Sequence, residues 1–218
     1  MEIITELERD LGKNLVCITE YGLVEKQYAA VVSELGFGVL TAVKDTAKKL
    51  AKKGVYPLFV TTEELSDGRD VFPLEFLNMK VTGNVIYGTN VFSKLTFDKE
   101  HVRRELESEF RTKLITLRQG YLEAAGKRKE LASLVGKAIP TLAPVCYGML
   151  YLKDLEAPKD VDGLLSAITR AYEVNVDVLS LLNKKDVGKL SVEDLESTVK
   201  ELVRFLAELG EVFDEMKI

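Results

Sequence analysis

Apolar positions follow two rhythms along this chain. As far as residue 97 they come in short runs broken by glycines and charged turns. From Asp98 onward they recur at three- and four-residue steps over long stretches. In the first part, Ile3, Ile4, Leu7 and Leu11 have helical spacing and predict a helix over 2–11, stopped at Gly12. The β-branched run Asn14–Tyr21 predicts a buried strand that ends at Gly22. Residues 23–33 show no clear period. Phe37–Val43 predicts a second strand, beside the first, with Gly36 and Gly38 at its start. A lysine-rich helix follows from Asp45 to Lys53, closed by Gly54, and Tyr56–Thr61 predicts a third strand. Thr62 is expected to cap a short acidic turn. The run VFPLEFLNMK (71–80) is apolar throughout, so periodicity does not separate strand from helix there. Residues 84–88 (NVIYG) predict a short strand, and 90–97 a connection.

The second part predicts helices. Asp98 is a good N-cap, with Glu100 near the positive end of the dipole. Val102, Leu106, Phe110, Leu114, Leu117 and Tyr121 then share one face of a helix of about seven turns, ending near Gly126. A second apolar helix from Arg128 contains Pro140 and Pro144 and is expected to kink or split there. Shorter helices are expected over 160–174 and 176–182. Ser191 with Asp194 resembles a capping box and opens the last helix. Its residues Leu195, Val199, Leu202, Leu206, Leu209, Phe213 and Met216 form a heptad seam. Such a seam suits packing within a bundle, and it is also where a protein partner would dock. The expected architecture is therefore α+β: a small mixed-sheet domain over 1–97, then an all-α helical bundle over 98–218.

Composition narrows the classes. Of 218 residues, 46% are hydrophobic and 30% charged, with a formal net charge of −5. Neither part is a basic module, since residues 1–97 carry 11 basic and 13 acidic side chains and the rest 19 and 22. That gives no strong nucleic-acid signal. No apolar run approaches the roughly 20 residues a bilayer requires, and the acidic start MEIITELERD is unlike a signal peptide. The expectation is a cytoplasmic protein without membrane contact. The Lys- and Glu-rich charge, with only Gln27 and Gln119 as glutamines, points towards a thermophile. Cys17 and Cys146 sit in apolar runs and read as buried thiols. With a single histidine, His101, they make no zinc site on their own.

The informative stretch is Tyr21–Leu40, YGLVEKQYAAVVSELGFGVL. It resembles the signature of the DNA polymerase beta-like nucleotidyltransferases. In that family a strand ends in Gly-Ser, a loop follows, and the next strand carries two Asp residues one position apart. The turn brings backbone N–H groups to a triphosphate, and the alternate carboxylates hold divalent metals at one point. Counted from Gly22, the serine position falls on Leu23, and the two Asp positions fall on Glu34 and Gly36. The later segments PLFVTTEEL, DVFPLEFLNMK, VIYG and ELESEFRTKLITLRQGYL are similar to bacterial and archaeal members, and the helical second part to kanamycin nucleotidyltransferase-like bundles. The resemblance implies nucleotide contacts at Gly22, Leu23 and Glu34, with an NTP as ligand. It implies metal ligation by Glu34, and by Glu75 as a third carboxylate. Leu23 lacks the hydroxyl, Glu34 is one methylene longer than Asp, and Gly36 ligates nothing, so Mg²⁺ would be held weakly.

Other features read more simply. Arg104, Arg111 and Arg118 form a stripe that suits ion pairs with neighbouring glutamates, or phosphates. Lys44, Lys48, Lys49, Lys52 and Lys53 suit a wet helix face, and His101 has no partner visible in sequence. Three functions follow. The first is a catalytically degenerate nucleotidyltransferase-like protein acting by nucleotide or protein binding. The second is an active enzyme with a rearranged site of Glu34, Glu75 and Glu20. The third is an assembly protein that uses its C-terminal helices.

Overall fold

A computed structural model of the chain describes residues 2–183 and 187–216. The chain divides into two compact units, Met1–Phe97 and Asp98–Ile218. The first is built on a mixed sheet and the second is all helical.

In the first unit, helix α1 (Glu2–Leu11) leads into strand β1 (Leu15–Tyr21). Strand β2 (Gln27–Val32) returns antiparallel to it, with Tyr21 opposite Gln27 and Leu15 opposite Val32. Helix α2 (Phe37–Ala51) crosses over to strand β3 (Leu58–Thr61), which lies parallel to β2. Helices α3 (Thr62–Asp67) and α4 (Pro73–Thr82) precede strand β4 (Asn84–Gly88), which pairs antiparallel with β1. The sheet order is β3-β2-β1-β4.

Several expectations are corrected here. Phe37–Val43 is not a strand but the opening of α2, so β1 has β2 and β4 as neighbours instead. The physical reason lies in the period of burial. Val43, Thr46 and Leu50, at helical spacing, face inward, while Phe37 is 83% exposed. The missing strand lies in 23–33, where Ala29, Ala30, Val31 and Val32 are all fully buried. Covered on both faces, β2 shows no alternation to read. The sequence order of helix, strand, strand, helix, strand is nevertheless the observed one. Thr61, not Thr62, caps α3: its hydroxyl accepts from the Glu64 N–H while the Glu64 carboxylate accepts from the Thr61 N–H. The apolar run 71–80 is mostly helix, started by Pro73 in its first turn. One face of the sheet packs on α1 and α2 through Leu7, Leu11, Ile18, Ala30, Val43 and Leu50.

In the second unit, helix α5 (Lys99–Ala124) starts with the Asp98 carboxylate accepting from the Glu100 N–H, 2.8 Å away. Helix α6 (Arg128–Ala138) and helix α7 (Leu142–Leu152) are separated by a single 3-10 turn at Pro140, the expected split. Helix α8 (Val161–Tyr172) follows, capped by Asp160. Residues Asp177–Asn183 form a 3-10 helix, not the α-helix expected over 176–182. Helix α9 (Val192–Glu215) is capped by Ser191, which accepts from the Asp194 N–H.

The heptad seam of α9 is spent inside the unit. Leu195, Leu202, Leu206, Leu209 and Phe213 are all buried, against α5 and α6. Phe213 lies 5.0 Å from the Phe110 ring and 5.6 Å from the Tyr172 ring. Residues Arg128–Leu152, read as one helical run, are long enough to cross a membrane by length and composition, against the expectation that no run would be. Within the unit, 56% of that apolar window is buried.

Candidate functional site

The first unit turns its chain at Gly22, and the candidate site is built around that turn. Gly22 has φ +101, and a Cβ there would lie 2.2 Å from the Glu25 carbonyl oxygen, so only glycine fits the five-residue loop 22–26. Its N–H donates to the Thr82 hydroxyl at 2.9 Å, and that hydroxyl donates to the Asn78 carbonyl at 2.7 Å. The N–H that a phosphate-binding turn would offer is thus bonded to the end of α4.

Beside the turn, Glu20 on β1 accepts from two groups of the returning chain. Lys26 Nζ is 2.6 Å from one carboxylate oxygen and Tyr28 Oη 3.1 Å from the other. Lys26 holds the Glu20 carboxyl below its ordinary value, with Tyr28 adding to the effect against partial burial. On the far side, Tyr21 Oη donates to Glu75 Oε1 at 2.9 Å. Burial, followed by the Glu75 charge, pushes the Tyr21 phenol up, so it stays protonated and keeps donating. Glu75 lies in the first turn of α4, where a carboxylate suits the helix dipole. It also borders a groove of about 550 Å³ between β3 and α4, floored by Val60, Phe72 and Phe76.

The sequence-predicted residues do not all meet. Gly22, Leu23 and Glu75 lie near one end of the β1–β2 hairpin. Glu34 lies beyond the other end, where its backbone N–H and carbonyl each bond the Asn14 side chain at 2.9 Å. The length of β2 stands between, roughly 20 Å at about 3.3 Å per residue. Glu34 and Glu75 therefore cannot share an ion, and Glu34 cannot reach a phosphate held at Gly22.

The separation follows from the misplaced strand. The strand after the glycine turn is β2, not 37–43. The two positions that the resemblance matches to paired carboxylates, Glu34 and Gly36, lie after β2 and not on it, and residues 26–32 contain neither Asp nor Glu. Sequence reasoning missed Lys26 and Tyr28. The period-two pairing of Glu20 with a nearby Lys and Tyr across a tight turn was the signal available.

Glu20 is bonded to an ammonium and a phenol, and Glu75 to a phenol. Mg²⁺ requires oxygen donors in near-octahedral array, with carboxylates free to take it. Among the described residues, no three His, Cys, Asp or Glu side chains are placed to hold a metal ion together. Cys17 and Cys146 are buried and unpaired, as expected. In the second unit, Arg104 pairs with Glu100, and Arg111 with Glu107 and Asp214.

No protein-family model matches this chain, and a search of curated proteins finds no significant match.

Proposed function

We propose that this chain is a nucleotidyltransferase-like protein without transferase activity, one that works by binding other protein surfaces. The observation that supports it best is the distance of Glu34 from the glycine turn. Where the resemblance requires two carboxylates, the chain has Glu34 and Gly36, and Glu34 is held by Asn14 beyond the end of β2, far from Gly22. Phosphoryl transfer depends on cations neutralising charge on the phosphoryl oxygens. With Glu34 a strand's length away and Glu20 paired with Lys26, a cation at the turn would lack the paired carboxylates that hold it. Nucleotide binding without catalysis is less favoured, because the Gly22 N–H is bonded to Thr82 and Leu23 has no hydroxyl.

Titration with each Mg²⁺–NTP, followed by calorimetry, and a label-transfer assay with radioactive ATP and UTP test this reading together. The expected result is no saturable binding and no transfer. Micromolar binding that Glu20→Gln or Glu75→Gln weakens, or transfer of label to any acceptor, would overturn it and favour an active site rearranged around those two residues.

A further inference from the structure

The sheet of the first unit leaves the outer edge of β3 unpaired. In the order β3-β2-β1-β4, that strand is outermost. Among the described residues, no backbone group outside β2 bonds to Leu58, Phe59 or Val60. The N–H of Thr61, which ends the strand, donates to the Glu64 carboxylate and not to β2. Backbone groups alternate in direction along a strand, so the N–H and C=O of Phe59 point outward as well. Groups of this kind are a template for a further strand. The strand has only four residues, but it carries neither charge nor proline to deter one.

The groove between β3 and α4 lies beside that edge. Phe59 packs towards α1 and α2, so Leu58 and Val60 face the other side of the sheet, into the groove. Phe72 and Phe76, with ring centroids 6.3 Å apart, form its other wall. Leu58 is 42% and Phe72 54% exposed, so this apolar lining is open to a partner. The three titratable side chains that line the groove, Glu64, Asp67 and Glu75, are all acidic. Glu64 accepts from the Thr61 N–H and Glu75 from the Tyr21 phenol, and none of the three is paired with a cation within the described residues.

We propose that the edge of β3 and this groove receive an extended segment of a partner protein, one that carries apolar and basic residues by turns. A strand added beside β3 bonds the Phe59 N–H and C=O and places every second side chain on the groove's side of the sheet. Apolar side chains there cover Leu58, Val60 and Phe72. A lysine or arginine lays its stem on the same rings and brings its charge to Asp67 and Glu75. Charge decides against two other occupants. A nucleic acid would set phosphates against these carboxylates, and a second copy paired through the same edge would set them against their own like charges. The proposal rests on the protein-binding reading and names a surface and a partner class for it. Nucleotide titration bears on that reading, and peptide binding on this one.

The test is fluorescence anisotropy of the full chain with a labelled peptide, VTKTVTKTV, whose alternate residues present valine and lysine on one face. Saturable binding is expected, roughly tenfold tighter than that of the same peptide with glutamate in place of lysine. Asp67→Lys and Phe72→Ser should each weaken it by roughly tenfold. Both side chains are exposed, so the core is left intact. Two further peptides, N-methylated at the odd or at the even residues, separate strand addition from charge attraction. Only every second N–H of an added strand faces β3, so one of the two should lose binding and the other keep it. No saturable binding, equal binding of the lysine and glutamate peptides, equal behaviour of the two methylated peptides, or indifference to both substitutions overturns the proposal. So does a dimer in sedimentation that Phe72→Ser dissociates, which would assign the groove to a second copy.

Discussion

At the scale of single residues, the first unit turns on a handful of side chains whose partners are distant in sequence. Tyr21 and Glu75 are 54 positions apart and bonded at 2.9 Å. Glu20 is close in sequence to Lys26 and Tyr28, but only the hairpin turn makes them a cluster. That cluster has a pH signature. Glu20 titrates below its ordinary 4.5 in the folded chain, chiefly because Lys26 bonds the ionised form. A depressed carboxylate stabilises the fold above its ordinary value, and that contribution is lost as pH falls through the depressed one. The size is small, because Lys26 is 71% exposed and solvent screens the pair. Thermal melts between pH 7 and pH 3 should show a loss of stability below about pH 4.5. In Glu20→Gln that loss should be reduced, and equal acid sensitivity in both proteins would contradict the account.

At the scale of elements, caps proved more local than strands. Asp98 and Ser191 each open the helix that the sequence assigned to them, because a cap needs only a side-chain oxygen two or three residues before the orphan N–H groups. The strands depended on context. Residues 37–43 have strand-like composition, yet α2 claims them. Inward-facing Val39, Val43, Thr46 and Leu50 fix a helical period that leaves Phe37 and Leu40 on the outer face. The turn into α3 combines both kinds of signal. Thr61 ends β3, and its N–H is taken by Glu64 instead of being left at the sheet edge. Thr61→Ala should cost about 1 kcal/mol, seen as a lower denaturant midpoint with unchanged slope. No shift would mean that the capping box contributes nothing beyond the strand.

At the scale of the whole molecule, each of the two units has its own buried apolar packing. The first is held by α1 and α2 on the sheet, and the second by the contact of α9 with α5 and α6. Phe213 is fully buried, with Phe110 and Tyr172 ring to ring beside it. Phe213→Ala should cost about 3–5 kcal/mol, from lost burial and the cavity left behind. In differential scanning, a transition from the second unit should fall in temperature. A loss below about 1 kcal/mol, in the range of surface substitutions, would show that the aromatic trio is not what holds α9 in place.

The sequence by itself determined the change of character near Asp98, the long helices, their caps and the split at Pro140. Each of these rests on interactions between residues three or four positions apart, which the linear pattern records directly. It also determined the sharp turn at Gly22, since a tight loop with positive φ admits no side chain. Only the tertiary structure decided which residues pair with β1, because β2 is buried on both faces and shows no alternation. It alone decided that Glu34 and Glu75 stand apart and that Lys26 and Tyr28 take Glu20. Position along a sheet is set by register and strand direction, and one misplaced strand moves a side chain by the length of the hairpin.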